Sequence, residues 1–109
     1  MSRRKGNIAE DNAVDFLLKN GYEVTERNFY SRFGEIDIIA TCSGTIHFIE
    51  VKSSTSYEVA LENITKSKLQ KFIRTMNVYL KKHKIDSDYQ IDAIIVTPNE
   101  CEMIENITI

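Results

Sequence analysis

Two short alternating runs constrain this chain more than any other feature: Gly34-Glu35-Ile36-Asp37-Ile38-Ile39-Ala40 and Thr45-Ile46-His47-Phe48-Ile49-Glu50-Val51-Lys52. Period-two alternation and an abundance of Ile, Val and Phe predict two strands joined by a tight turn. With Ser43 and Gly44 as the central turn residues, Cys42 faces Thr45. Counting outward then predicts Asp37 opposite Glu50, on one face, and Glu35 opposite Lys52. Directly opposed residues lie about 5 Å apart at Cβ, and like charges placed there destabilise the pair. A hard divalent cation with oxygen ligands offsets that repulsion, and Mg²⁺ characteristically takes one or two protein carboxylates and leaves its other positions to water and phosphate. Lys52, two residues beyond Glu50, shares its face and would hold a phosphate or an attacking water beside the ion. The count depends on a turn of even length, because a three-residue loop would send Glu50 to the other face. The competing reading is a pair of amphipathic strands whose solvated face bears Glu35, Asp37, Glu50 and Lys52. Against it, that same face also carries Ile39, Ile46 and Phe48.

The 109 residues predict a single domain spanning 1–109. No apolar run approaches the roughly 20 residues of a membrane span, so no membrane association is expected. The N-terminus, Met1-Ser2-Arg3-Arg4-Lys5, is basic but leads into a polar, acid-containing segment instead of an apolar signal region, which predicts a cytoplasmic protein. Cys42 and Cys101 show no Cys-x-x-Cys spacing and there are no paired histidines, which argues against zinc. Unpaired thiols are expected, with a disulfide left open. The net charge of −2 hides a segregation: seven cations and no acids between Asn63 and Ile85, then six acids and no cations from Asp86 to Ile109. Such asymmetry fits a surface that meets a polyanion, and equally a solvated helix face.

Taken in order, residues 1–6 read as a flexible basic arm. The spacing of Ala9, Ala13, Phe16 and Leu17 predicts a helix over Asn7–Lys19, closed by Asn20-Gly21. Glu10 lies at the margin of its apolar stripe, placed either to reach a site on the strands or to point to water at the helix start. A first strand is expected over Tyr22–Phe29 and a connection over Asn28–Phe33, with Arg27 and Arg32 as phosphate contacts. The polar run from Ser53 to Glu58 suits a mobile loop. A long helix follows from Thr65, its N-cap, to about Lys84, with Leu69, Phe72, Ile73, Met76 and Leu80 as its core stripe. Lys68 and Lys71 in its early turns are the best candidates for contacts to a nucleic-acid backbone. Gln90–Thr97 reads as a strand covered on both faces and reached by a parallel crossover, with Asp92 as a solvent or capping contact. Cys101–Ile107 supplies a short edge strand.

Glu10 on a first helix, Asp37 on one strand and Glu50-Val51-Lys52 on the next resemble, in order and spacing, the pattern of the PD-(D/E)xK nuclease superfamily and, in chemistry, the archaeal Holliday-junction resolvases. More closely still, the chain resembles the YraN-type family of uncharacterised endonuclease-like proteins. That resemblance rests on Glu10 with Ala13, on Gly34 to Ile39, on Phe48 to Lys52, and on Thr65-Lys66-Ser67-Lys68 ahead of Tyr79-Leu80. It implies an α/β fold with a restriction-endonuclease-like core. The core's central mixed sheet begins with three antiparallel strands and adds a parallel crossover strand, flanked by helices in the order α-β-β-β-α-β-β. It also implies a catalytic set of Glu10, Asp37, Glu50 and Lys52. The three acids would hold Mg²⁺ or Mn²⁺, and the expected reaction is hydrolysis of phosphodiester bonds in DNA, with branched DNA suggested by analogy alone. Lys66, Lys68, Lys71, Arg32, Arg27, Arg3 and Arg4 are the expected nucleic-acid contacts, and junction resolution by so small a chain would require a homodimer. Three departures touch substrate contacts: Tyr57-Glu58 where a glycine-containing loop is common, Gln90-Ile91 where Arg-Phe is usual, and Leu69 where glutamine often follows the helix lysine. The alternative function is a nucleic-acid-binding protein that keeps the fold with little or no cleavage.

Overall fold

The structure, a computed structural model, describes residues 5–107. Arg3, Arg4 and most of the expected basic arm lie outside that range, while Lys5 and Gly6 already belong to the first helix. The elements run α1 (Lys5–Lys19), β1 (Glu23–Ser31), β2 (Gly34–Cys42), β3 (Thr45–Ser53), α2 (Tyr57–Glu62), α3 (Lys66–Lys82), β4 (Tyr89–Val96) and β5 (Cys101–Ile104). The five strands form one mixed sheet in sequential order, antiparallel except for the β3–β4 pair, which is parallel. The α2 and α3 helices occupy the crossover that a parallel pair requires.

The sheet is covered on both sides, which explains why β2, β3 and β4 are so apolar. Ala9, Ala13 and Leu17 of α1 pack on Ile38, Ala40, Ile49, Ile94 and Val96. Phe72, Met76 and Tyr79 of α3 pack on Phe29, Ile36, Ile39, Ile46 and Phe48 from the opposite side. At the hairpin, Ser43 (φ 51°) and Gly44 (φ 81°) both adopt positive φ, the two-residue turn whose twist matches the flanking strands. Cys42 pairs with Thr45 as counted, and the ladder continues through Ile38–Ile49.

Four expectations require correction. First, the β2–β3 ladder ends at Ile38–Ile49, so Asp37 and Glu50, and Glu35 and Lys52, are not ladder partners. Glu35 instead pairs with Tyr30 of β1. Second, β1 runs through the expected Asn28–Phe33 connection to Ser31 because Asn28 takes a left-handed φ of 54°, which asparagine tolerates better than most residues. That twist breaks the alternation: Arg27 reaches Asp11 on α1, whereas Phe29 stacks edge-on against Tyr79 of α3. Third, part of the expected polar loop is α2, nucleated by Ser56, whose side chain accepts from the Val59 N–H, and anchored by buried Ala60.

Fourth, Asp92 is fully buried. One of its oxygens lies 2.6 Å from His47 Nδ1, and the other accepts from Gln90 Nε2 at 2.8 Å and from the Asn106 N–H at 3.0 Å. A buried carboxylate is tolerable when its lone pairs are filled in this way. The network also ties the segment after β5 back to the sheet, alongside the Ile107 N–H to Ile91 carbonyl bond. Removing one partner from a buried hydrogen-bond network leaves the others unsatisfied and typically costs about 1–3 kcal/mol. Asp92→Ala should therefore lower the urea unfolding midpoint by a corresponding amount, and an unchanged midpoint would remove the network from the list of interactions holding the fold.

Candidate carboxylate site

The site lies where β2 and β3 part. Once the ladder stops, the Val51 N–H has no partner on β2, and Asp37 Oδ2 accepts it at 2.8 Å. The Asp37 side chain thus does for one residue what a backbone carbonyl does elsewhere in the sheet, and this bond fixes its position. Glu50 shares the Phe48 side of β3 by alternation and makes an ion pair with Lys52 Nζ at 3.2 Å, both side chains about a quarter exposed (28% and 25%). On the neighbouring strand Glu50 and Lys52 are flanked by Ala93 and Ile95, so the pair sits over an apolar floor. Glu10 approaches from α1. It is 8% exposed, and its Oε1 is buried without a hydrogen bond although Arg27 Nη2 is 3.5 Å away.

The electrostatics of the three acids follow from this placement. Burial pushes the Asp37 carboxyl from its usual 3.8 up to about 8, reinforced by the charges of Glu50, Glu10 and Glu35 and opposed by the Val51 N–H. Glu50 is raised by burial against the lowering influence of Lys52, with Glu35 pushing it up and Lys68 pulling it down. Glu10 is likewise raised by burial, with Arg27 and Asn28 opposing and Glu35 reinforcing. Glu35, expected only to face Lys52, therefore acts on all three acids. Its neighbour Tyr30, hydrogen-bonded to it, is raised in turn.

The donor set consists of hard oxygens, and Glu10 Oε1 is a buried acceptor that makes no hydrogen bond and meets only the Arg27 guanidinium, at 3.5 Å, a combination that fits a divalent cation of the Mg²⁺ class. The fit has a geometric condition. Among the described residues, the set of three metal-ligand side chains with ligand atoms all within 4.8 Å is His47, Asp92 and Glu105, not Glu10, Asp37 and Glu50. Glu10, Asp37 and Glu50 therefore do not form such a three-ligand cluster in this structure. In the His47 set, both Asp92 oxygens are already engaged, and Gln90 also donates to Glu105 Oε1 at 3.2 Å, so hydrogen bonding accounts for the cluster.

The cations divide into two groups. Arg27 is held by Asp11 at 2.9 Å and by Glu10, and so is turned toward α1. Lys68 is bonded to the Asn63 carbonyl at 3.3 Å and lines, with Glu50, Lys52, Leu69 and Phe72, a cavity of about 20 Å³. That volume admits a water molecule, not a nucleobase. Lys66, Lys71 and Arg32 are exposed. Missed from the sequence were Glu35 as an influence on the whole site, the Asn28 twist and the Tyr79 ring. Asn28 was detectable only as a turn-forming residue inside a strand pattern.

The profile of the uncharacterised protein family UPF0102 matches residues 9–96 of the chain. The chain is similar along its full length to a UPF0102 protein of Sulfurimonas denitrificans, 61% identical over 109 residues with 100% of both chains covered. It is 52% identical to one of Helicobacter hepaticus (99% of this chain and 97% of the relative) and 49% identical to one of Aliarcobacter butzleri (99% of each).

Between the usual Asp value and about 8, folded Asp37 retains a proton that the unfolded chain has released, so the metal-free protein loses stability as pH rises through that window. Asp37→Asn keeps an oxygen for the Val51 N–H and removes the charge. Urea unfolding at pH 5 and pH 8 should show the parent losing stability relative to the variant as pH rises, by up to about 1.4 kcal/mol per pH unit. Equal pH dependence in the two proteins would mean that Asp37 ionises freely in the fold.

Proposed function

This chain belongs to the uncharacterised protein family UPF0102, and from that premise and the geometry of its carboxylates we propose that it is a metal-dependent nuclease hydrolysing phosphodiester bonds in DNA, built on a restriction-endonuclease-like core. The observation that carries the reading is the placement of Asp37 and Glu50: two acids, both raised by burial, at the opening between β2 and β3, with Lys52 two residues beyond Glu50 and paired to it. Acids raised by burial and set together at a sheet end beside a lysine are the pattern of a functional-site candidate.

In this reading Asp37 and Glu50 hold Mg²⁺ or Mn²⁺, with Glu10 completing the shell. When bound, the ion lowers the pKa of a coordinated water and polarises the phosphoryl oxygen. The chain's own residues supply the orientation. The Val51 N–H keeps Asp37 Oδ2 in place, so the carboxylate need not be ordered at the moment of binding. Lys52, fixed beside Glu50, places a positive charge where negative charge develops on the phosphate. A water oxygen bonds to phosphorus and gives up one proton to solvent, one ester P–O bond breaks, and the departing sugar oxygen takes a proton from solvent. Burial, reinforced by neighbouring acids, holds the Asp37 carboxyl up near 8, so ion binding there would release a proton.

Incubating the protein with linear, single-stranded and four-way-junction DNA in Mg²⁺, Mn²⁺ or EDTA tests the reading. Cutting should occur only with a divalent ion, and Asp37→Asn, Glu50→Gln and Lys52→Ala should each lower its rate by about 100-fold or more. Cutting that survives in all three variants rules out this site. Binding without cutting under every ion condition would identify a nucleic-acid-binding protein on the same fold. A further consequence concerns the ion itself: Mg²⁺ affinity measured by calorimetry should rise with pH up to about 8 and then level off, because Asp37 must release its proton to bind.

A further inference from the structure

The turn between β1 and β2 is docked onto α3 in a way the carboxylate site does not require. Ser31 Oγ lies 2.8 Å from Thr75 Oγ1, the Phe33 N–H donates to Ser31 Oγ at 3.0 Å, and Thr75 Oγ1 donates to the Lys71 carbonyl at 3.2 Å. A Cβ on Gly34 would stand 3.7 Å from Thr75 Oγ1 and 3.9 Å from Lys71 Cβ, so the turn and the helix are in direct contact there. This docking brings two arginines from different elements to one ring: the Arg32 guanidinium is 4.8 Å from the Phe33 centroid and that of Arg74 is 5.7 Å away.

Among the described residues, Arg32, Lys71 and Arg74 make no ion pair, whereas the acid-paired cations Arg27, Lys19 and Lys52 are placed elsewhere. Lys68, Lys71 and Arg74 follow one another at three-residue steps on α3, about 4.5 Å of rise each. The row begins where Lys68 lines the cavity shared with Glu50 and Lys52, passes Gly34 at Lys71, and ends at the Arg32–Phe33–Arg74 stack. Like charges at this spacing weaken a helix, and two guanidiniums on one ring repel each other. A fold that accepts both costs, close to a buried carboxylate site, is arranged for a linear polyanion. Guanidiniums held by an aromatic face are also pre-oriented, so little freedom is lost when they bind phosphate.

We infer that Arg32, Phe33 and Arg74, with Lys71, form a phosphodiester seat that holds the DNA strand flanking the bond at the carboxylate site, the strand running along α3 from Lys68 to the β1–β2 turn. The inference rests on the nuclease reading for its choice of polyanion. The seat offers charge and no buried hydrogen-bonding group for base edges, so the binding it supplies is independent of sequence. Phe33 acts as the platform for the two guanidiniums.

The test measures binding of the full chain to fluorescein-labelled duplex DNA of two unrelated sequences in EDTA, where no cutting intervenes, across a series of salt concentrations. Arg74→Gln and Arg32→Gln should each weaken binding about tenfold near 0.1 M salt and reduce the salt slope by about one, equally for both sequences. Phe33→Leu, which keeps every charge, should weaken binding several-fold with the slope retained. Lys81→Gln, which removes the same charge from the far end of α3, should leave affinity within twofold. Melting temperatures equal to the parent's confirm that each variant is folded. Parent-like binding by Arg74→Gln or Phe33→Leu, or an equal loss in Lys81→Gln, overturns the seat. Because binding is read without metal, a protein that binds as described but never cuts keeps the seat and loses the nuclease reading, while cutting by a protein whose Arg74→Gln variant binds normally does the reverse.

Discussion

Backbone hydrogen bonding joins β2 and β3 through five residue pairs, from Cys42–Thr45 to Ile38–Ile49, and beyond that a single carboxylate takes over. The exchange of a carbonyl for the Asp37 side chain is what the rest of the site depends on. It lets the two strands separate without leaving the Val51 N–H unsatisfied, and it fixes the one acid on which the charges of both Glu50 and Glu10 act. The Asn28 twist on the neighbouring strand works at the same level, since it sends Arg27 toward α1 and Phe29 toward α3.

Two local conflicts of charge stand close together. Asp37, Glu50 and Glu10 are acids raised first by desolvation and further by Glu35, and Arg32, Lys71 and Arg74 are cations without acid partners among the described residues. Arg27 reaches both Asp11 and Glu10, and Lys52 reaches Glu50, while Arg32, Lys71 and Arg74 are left aside. Such unrelieved frustration is expected where binding supplies the missing charge. The His47–Asp92 network shows the contrast, because there every Asp92 lone pair that matters has a donor and the outcome is structural.

How much of this was legible depended on the range of the interaction. The hairpin register was readable because a two-residue turn transmits its geometry by simple counting, and the count held for as long as the ladder did. It failed at Asp37, where strand separation is decided by twist and by the packing of both helices. The α3 stripe was readable from its period, although Tyr79, which closes the Phe29–Phe48 cluster, looked polar in sequence. Asp92 was misread as a solvent or capping contact because its partner His47 is 45 residues away. The α2 helix was hidden in a run of serines, of which one turned out to be its cap.

By itself, then, the sequence determined the alternating pair, its turn, the crossover to a covered fourth strand and the positions of the acids and lysine of the candidate site, since all of these follow from period and nearest-neighbour spacing. Only the tertiary structure decided where the strands part, which charges are neutralised and which are left unpaired. Those outcomes depend on desolvation and on contacts between distant segments, such as Glu10 with Arg27, Ser31 with Thr75 and Arg74 with Phe33, that no local pattern encodes.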